Sequence, residues 1–274
     1  MIKILLLVPL FFFSTFEVVS RPLSGIVDPY FMTFFRFFSG GLFLLFFSKF
    51  NFSKKDFLLI FLIGNINVIL SMTLLQLAVF LSNASTTAVL ISTNPIFVSL
   101  FSLIILNKTF DKRKLLGIII GLIGISFFVF DNLSGSNFFL GSLFALGASL
   151  SFGLYTILIR KFTQKYNPIS VTCVSTFFPS LVYLFILYIS NNLHIPYSES
   201  LISWARMLYI GIGVTGIAYY IYFKVGKIIG QAEASRLFYL KPVLAGILSV
   251  LLLGESFTLL DIVGTGIILF SLIL

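Results

Sequence analysis

The stretch STNPIFVSLFSLIILNKTFDKRKLLGIIIGLIGI, residues 92–125, has a partner in YLKPVLAGILSVLLLGESFTLLDIVGTGIILF, residues 239–270. The two align without a gap at an offset of 147 residues. Gly64/Gly211, Leu90/Leu237, Pro95/Pro242, Ser102/Ser249, Leu106/Leu253, Phe110/Phe257 and Gly117/Gly264 all keep that offset. Identity is sparse, but helix-breaking residues and apolar runs coincide, which marks an internal repeat. Each copy carries a proline deep in an apolar run. Paired, proline-interrupted hydrophobic segments in two halves of a membrane chain point to a transporter's binding site.

Composition places the chain in a bilayer. Hydrophobic residues make up 59% and charged residues 10%, against about 25% charged in an ordinary soluble domain. Apolar runs repeatedly reach the roughly 20 residues needed to cross a hydrocarbon core of about 30 Å. Backbone groups in lipid must be satisfied within their own segment, and strand-like alternation is absent, so the runs read as helices. The single Cys173 excludes an intrachain disulfide framework, and no Cys/His cluster has metal-ligand spacing. The only histidine, His194, falls in a polar loop and reads as a solvated residue. No cofactor is expected. The net charge of +9 comes from short basic clusters between apolar spans, which fits membrane orientation better than a nucleic-acid partner.

Ten transmembrane helices are predicted, over residues 2–20, 29–48, 57–79, 84–106, 113–130, 138–160, 168–190, 203–224, 231–253 and 258–274. The first is read as a retained span, because Glu17 interrupts the apolar run and no small-x-small cleavage site follows. With the amino terminus in the cytoplasm, that side collects Lys3, Lys49, Lys54, Lys55, Lys108, Lys112, Arg113, Lys114, Arg160, Lys161, Lys165, Lys224 and Lys227. The opposite side holds Arg21 and Arg206, an asymmetry that puts both termini in the cytoplasm; the expected location is the cytoplasmic membrane of a bacterium. Five helices per repeat is an odd number, so two consecutive copies must insert with opposite topology, in one compact domain whose junction is 131–137.

At these residues the chain resembles EamA-type carriers of the drug/metabolite transporter superfamily. The resemblance rests on Asn94-Pro95 and Lys241-Pro242, on Gly254-Glu255, and on the glycines Gly117, Gly121, Gly124, Gly264 and Gly266 that follow. The opening STFEVVSRPLSGIVDPYFMTFFRFFSGG, residues 14–41, is similar to the family's first two helices, including an arginine in helix two, here Arg36. The resemblance implies an all-α integral membrane fold of ten helices in two inverted five-helix repeats, residues 1–131 and 138–274. It also implies a carrier of small polar metabolites, often an exporter, with its cavity between the halves. Two departures stand out. Asn107-Lys108 replaces the Gly-Glu turn in the first repeat, and Lys241 stands where many members have Glu.

Charges inside the spans each cost about 2.5–3.5 kcal/mol on insertion scales and are functional hypotheses by default. At 1.5 Å per residue, Lys241 lies about 15 Å into its span, near the midplane. Pro242 would interrupt the helix beside it and free carbonyls near Phe238. Glu17 and Arg36 come out at equal depth on consecutive helices, which predicts a Glu17–Arg36 ion pair, with Arg21 competing for Glu17. Glu17 is the proton-carrier candidate if transport is proton-coupled. Glu233 and Arg236 lie nearer the cytoplasmic end, where Arg236 can snorkel.

The uncharged polar set comprises Asn65, Asn67, Gln76, Ser92, Thr93, Asn94, Tyr155, Tyr219, Tyr220, Tyr222 and Tyr239. Amide side chains both donate and accept, which suits a neutral or zwitterionic metabolite, although such groups also bind helices together in lipid. The candidate substrate-binding residues are Lys241, Arg36, Glu17, Asn94, Asn67, Tyr220 and Tyr239. The expected function is secondary transport of amino acids or related organic acids and amines by alternating access. The partners are a small-molecule substrate and the lipid bilayer. A multidrug or nucleoside-type exporter is the first rival. An intramembrane lipid enzyme would need a nucleophile–base set or metal site that the sequence lacks. A channel fits a five-plus-five repeat poorly, and no ATP-binding glycine loop is present.

Overall fold

A computed structural model describes residues 2–106, 116–117, 119–121, 123–124, 136–235, 238, 240–256 and 258–273. Among the described residues the secondary structure is helical throughout, with no strand. The chain opens with a 3-10 turn, Ile2–Leu6, leading into α1 (Leu7–Ser20), and Arg21–Leu23 closes that span. Next come α2 (Pro29–Leu45) and α3 (Lys54–Leu81). The fourth predicted span is two helices, α4 (Ala84–Ile91) and α5 (Asn94–Ile105). Then follow α6 (Ser136–Lys165), α7 (Pro168–Ile189) and α8 (Leu201–Ile229). A single turn, Gln231–Ala234, precedes α9 (Lys241–Leu253) and α10 (Leu259–Ile273). Of the fifth predicted span, residues 116, 117, 119–121, 123 and 124 are helical. The Asn107-Lys108 turn, Arg236, Tyr239 and most of the 131–137 junction lie outside the described residues.

Local chemistry sets these boundaries. Helix starts carry the side chains that can accept from orphan backbone N–H groups. Asp28 accepts from Tyr30 and Phe31, Ser53 from Asp56, Asn83 from Thr86, Asn167 from Ile169 and Ser200 from Ser203. Pro29 and Pro168 occupy the first helical position, where a missing N–H costs nothing. Among the described residues six helical stretches are long and apolar enough to cross a membrane, α4 and α5 together making one of them, and α2, α9 and part of α10 are shorter apolar helices. Large apolar side chains such as Leu62, Leu70, Ile104, Phe185 and Leu251 face outward, as an acyl-chain environment requires. This is a multi-pass membrane protein.

The two proline-bearing spans are broken, not kinked. Pro95 and Pro242 each sit in the first turn of a new helix, α5 and α9, after residues that are not α-helical at 92–93 and, among the described residues, at 235, 238 and 240. The expectation of one helix each over 84–106 and 231–253 is thereby corrected: each proline ring is accommodated at a helix start, where no intrahelical bond is lost. The breaks keep the 147-residue spacing. Two π-helical stretches, Ile66–Met72 in α3 and Tyr209–Ala218 in α8, overlap when shifted by that offset, and in both an extra residue per turn widens the helix.

Helix α4 packs on α9, and the turn Gln231–Ala234 packs on α5, so each first half lies against the other copy's second half. The two broken spans therefore run antiparallel, with their breaks level. Around them, α2 crosses α7 and α8 closely. A Cβ on Gly41 of α2 would come within 2.7 Å of the Phe177 Cα of α7, and one on Gly64 of α3 within 2.7 Å of Ser175 Cα. The basic ends meet at one face: Lys165 pairs with Asp56 at 2.6 Å, and the Lys227 ammonium donates to the Tyr166 carbonyl at 2.9 Å.

The close crossings give a direct test. Gly41→Ala is expected to cost about 1–3 kcal/mol by overpacking against Phe177, lowering the thermal unfolding midpoint in detergent. Gly266→Ala, with nothing within 4 Å of the new methyl, is expected to leave the midpoint unchanged.

Candidate binding site at the helix breaks

Three charged side chains converge between the breaks. Lys241, the first residue of α9, is 2% exposed, Glu17 of α1 is 0% exposed and Arg36 of α2 is 3% exposed. The Lys241 ammonium donates to Glu17 Oε1 at 2.5 Å. This corrects the expected Glu17–Arg36 pair. Arg36 turns instead toward α8, where its Nε donates to Thr215 Oγ1 at 2.8 Å. Its guanidinium lies 4.2 Å over the Phe16 ring and 5.1 Å from that of Phe37, a geometry in which the ring quadrupoles attract the cation. Arg21 does not compete for Glu17; it donates to the carbonyls of Val79 and Phe80 at the end of α3.

Lys241 and Arg36 line a cavity of about 30 Å³ with Phe13, Phe16, Met72, Leu75, Ile91, Phe152, Val214, Tyr219 and Phe238. That is room for about two water molecules. Phe13 and Phe238 stack at 5.6 Å, and Tyr219 meets Phe13 and Phe152 edge-on or tilted at 5.8 Å. Glu17 stands behind Lys241 and does not itself line the space. Two charged atoms here are buried without a hydrogen bond: Arg36 Nη1 and Glu17 Oε2. Buried charge left unpaired is costly, so such atoms mark places where a ligand can gain most. The helix starts of α5 and α9 at the breaks add the positive end of their backbone dipoles.

The other sequence candidates divide. Asn67, in the π-helical stretch of α3, is fully buried with neither amide atom bonded. Asn94 donates to the Ser149 carbonyl at 3.1 Å and keeps a free Oδ1. Gln76 donates to Ser20 Oγ at 2.7 Å, and Asn65 to its own helix at Phe61, so both hold structure together. Ser92 and Thr93 bond back to Ala88 and Leu90 at the break. Tyr220 is not brought to the cavity; it is half-buried beneath the Lys224 ammonium, 5.4 Å from its ring. Tyr219 lines the space instead, while Tyr222 is buried against Phe13 and Phe238. Tyr155 bonds Ser175 at 2.9 Å. Thr215 and Phe16, which hold the Arg36 head, had no signal in the sequence beyond their being polar and aromatic in an apolar span.

Removing one member of a buried pair strands the other, at about 3–5 kcal/mol. Lys241→Met is expected to lower the unfolding midpoint markedly, and Glu17→Gln in the same chain to regain most of the loss. A double-mutant cycle on thermal unfolding reads this; simple additivity of the two losses would refute the pairing.

The EamA-like transporter family matches residues 1–130 and 139–274. The chain is 31% identical over 275 residues to an uncharacterized transporter of Clostridium kluyveri, covering 95% of this chain and 88% of that one. It is 27% identical to the uncharacterized transporter YdfC of Bacillus subtilis, over 92% of this chain and 82% of that one. A solved crystal structure superposes with a TM-score of 0.73 at 16% identity, covering 99% of this chain and 94% of that one, which shows a shared fold. With its matched length, its broken helices and its membrane-facing surface, the chain belongs to the EamA-like transporter family and is a membrane transporter.

Proposed function

We propose that this transporter is a secondary carrier that exports small organic acids, amino acids foremost, across the cytoplasmic membrane by alternating access. Both termini then lie in the cytoplasm, at the face where Lys165 and Lys227 gather. The single observation that carries the cargo reading is the buried, unbonded Nη1 of Arg36 beside the cavity. Lys241 is neutralised by Glu17, whereas no carboxylate among the described residues bonds Arg36. A substrate carboxylate supplies the missing acceptor. Glu17 Oε2, also unbonded, is available to a substrate ammonium or a proton. The cavity as it stands holds only water-sized guests, so loading requires the walls to part on one side at a time, as expected of inverted repeats with a midplane site.

A second reading has its own support. Phe13, Phe16, Phe152, Tyr219 and Phe238 make the lining largely aromatic, which suits a multidrug or nucleoside-type exporter. The two readings meet in an acid with an apolar body, its head at Arg36 and its body among the rings.

Uptake into proteoliposomes over a panel of amino acids, organic acids, nucleosides and cationic drugs separates them. Arg36→Gln is expected to weaken carboxylate transport by about tenfold to a hundredfold, the worth of one charge-assisted hydrogen bond. Transport of cationic drugs, indifferent to Arg36→Gln and to Lys241→Ala, would overturn the acid reading. Where transport follows a proton gradient, Glu17→Gln made together with Lys241→Met, so that no buried charge is stranded, is expected to abolish the dependence on that gradient.

A further inference from the structure

We propose that Glu255 is a one-sided latch of the transport cycle, tying the two repeats together at the face opposite the lysine-rich ends. This rests on the alternating-access reading above. Helix α9 ends at Gly254, whose φ of 68° is a left-handed conformation that favours glycine. That turn aims Glu255 across to the other repeat. Its Oε1 accepts from the Ala84 N–H at 2.8 Å and its Oε2 from the Ser85 N–H at 2.9 Å. Asn83 Oδ1 takes the Thr86 N–H at 2.8 Å, so the first turn of α4 is satisfied, two donors of it by a carboxylate from 170 and 171 residues away.

The place of this contact gives it a role in gating. Ile91, at the inner end of α4, and Lys241, at the inner end of α9, both line the cavity. The seam between these antiparallel half-helices is therefore the wall between the cavity and that face. Opening the seam from outside separates α4 from α9 and must break both bonds. Glu255 is half-buried and can then pass to water, so the tie is breakable, unlike the Glu17–Lys241 pair. In the first repeat the residue at the equivalent position is Lys108. An ammonium has no acceptor for backbone N–H groups, so Lys108 cannot repeat the Glu255 tie. The two bonds of Glu255 favour closure at the lysine-poor face.

The experiment reads access and not cargo. Thr87, one turn outward from Ile91 on the same face of α4, is fully buried. Thr87→Cys is made in a Cys173→Ser chain and labelled with a membrane-impermeant thiol reagent applied to the lysine-poor face of sealed vesicles. Glu255→Gln is expected to raise the labelling rate about tenfold, the effect of losing charge-assisted bonds from the closed state only. Ala84→Pro deletes one donor while leaving Glu255 untouched; proline is tolerated at a first helical position and Asn83 is already extended, with ψ 167°. It is expected to give a smaller increase of the same sign. A drop in the unfolding midpoint with no change of labelling in either variant would show a purely structural cap and overturn the latch. Vesicles that label as expected yet carry no organic acid would sink the cargo reading and leave the latch standing.

Discussion

A lysine ammonium and a glutamate carboxylate, 2.5 Å apart and shut away from solvent, hold the centre of this protein. Neither charge is affordable alone in a hydrocarbon-bounded interior. Together they join α1 of the first repeat to the start of α9 in the second, and so fix how one broken span sits against the other half. Such pairs seldom add much net stability over apolar packing. Their effect is to specify an arrangement, here one in which the α9 break faces inward and a second cation, Arg36, bonds no carboxylate among the described residues.

From that arrangement the rest follows. A helix that stops and restarts within the bilayer exposes backbone polar groups that only protein or a polar chamber can satisfy. Setting two broken spans antiparallel brings both breaks to one level, and the π-helical stretches of α3 and α8 flank them at matching positions of the repeat. Arg36 is steered by Thr215 from one of those stretches and by the faces of Phe16 and Phe37. The chamber thus combines a neutral ion pair, an unsatisfied guanidinium and aromatic walls. The acid cargo proposed above would set its anionic head at Arg36 and its apolar body among these rings.

Much of this was legible in the sequence, for definable reasons. Proline spacing gave the repeat and the level of the breaks, and the intramembrane position of Lys241 announced its burial. Depth arithmetic failed for Glu17 and Arg36 because rise per residue gives height but not azimuth: at equal height, Glu17 faces α9 and Arg36 faces α8. The sequence does not separate Tyr220 from Tyr219 for a related reason. The π-helical stretch ends immediately before these residues, and its wider turns rotate the face that follows, yet an extra residue per turn leaves no mark in a uniformly apolar segment. The Gly-Glu turn was visible as a family feature, but only coordinates reveal that its carboxylate caps the helix at Ala84.

The central pairing can be measured without knowing the cargo. In protein labelled with 13C-glutamate and 15N-lysine and reconstituted in bilayers, solid-state dipolar recoupling reports carboxylate–ammonium proximity. The account predicts a strong Glu17 Cδ to Lys241 Nζ coupling, absent in Glu17→Gln. A Lys241 ammonium that couples to no carboxylate, or that contacts acyl chains instead, would contradict it.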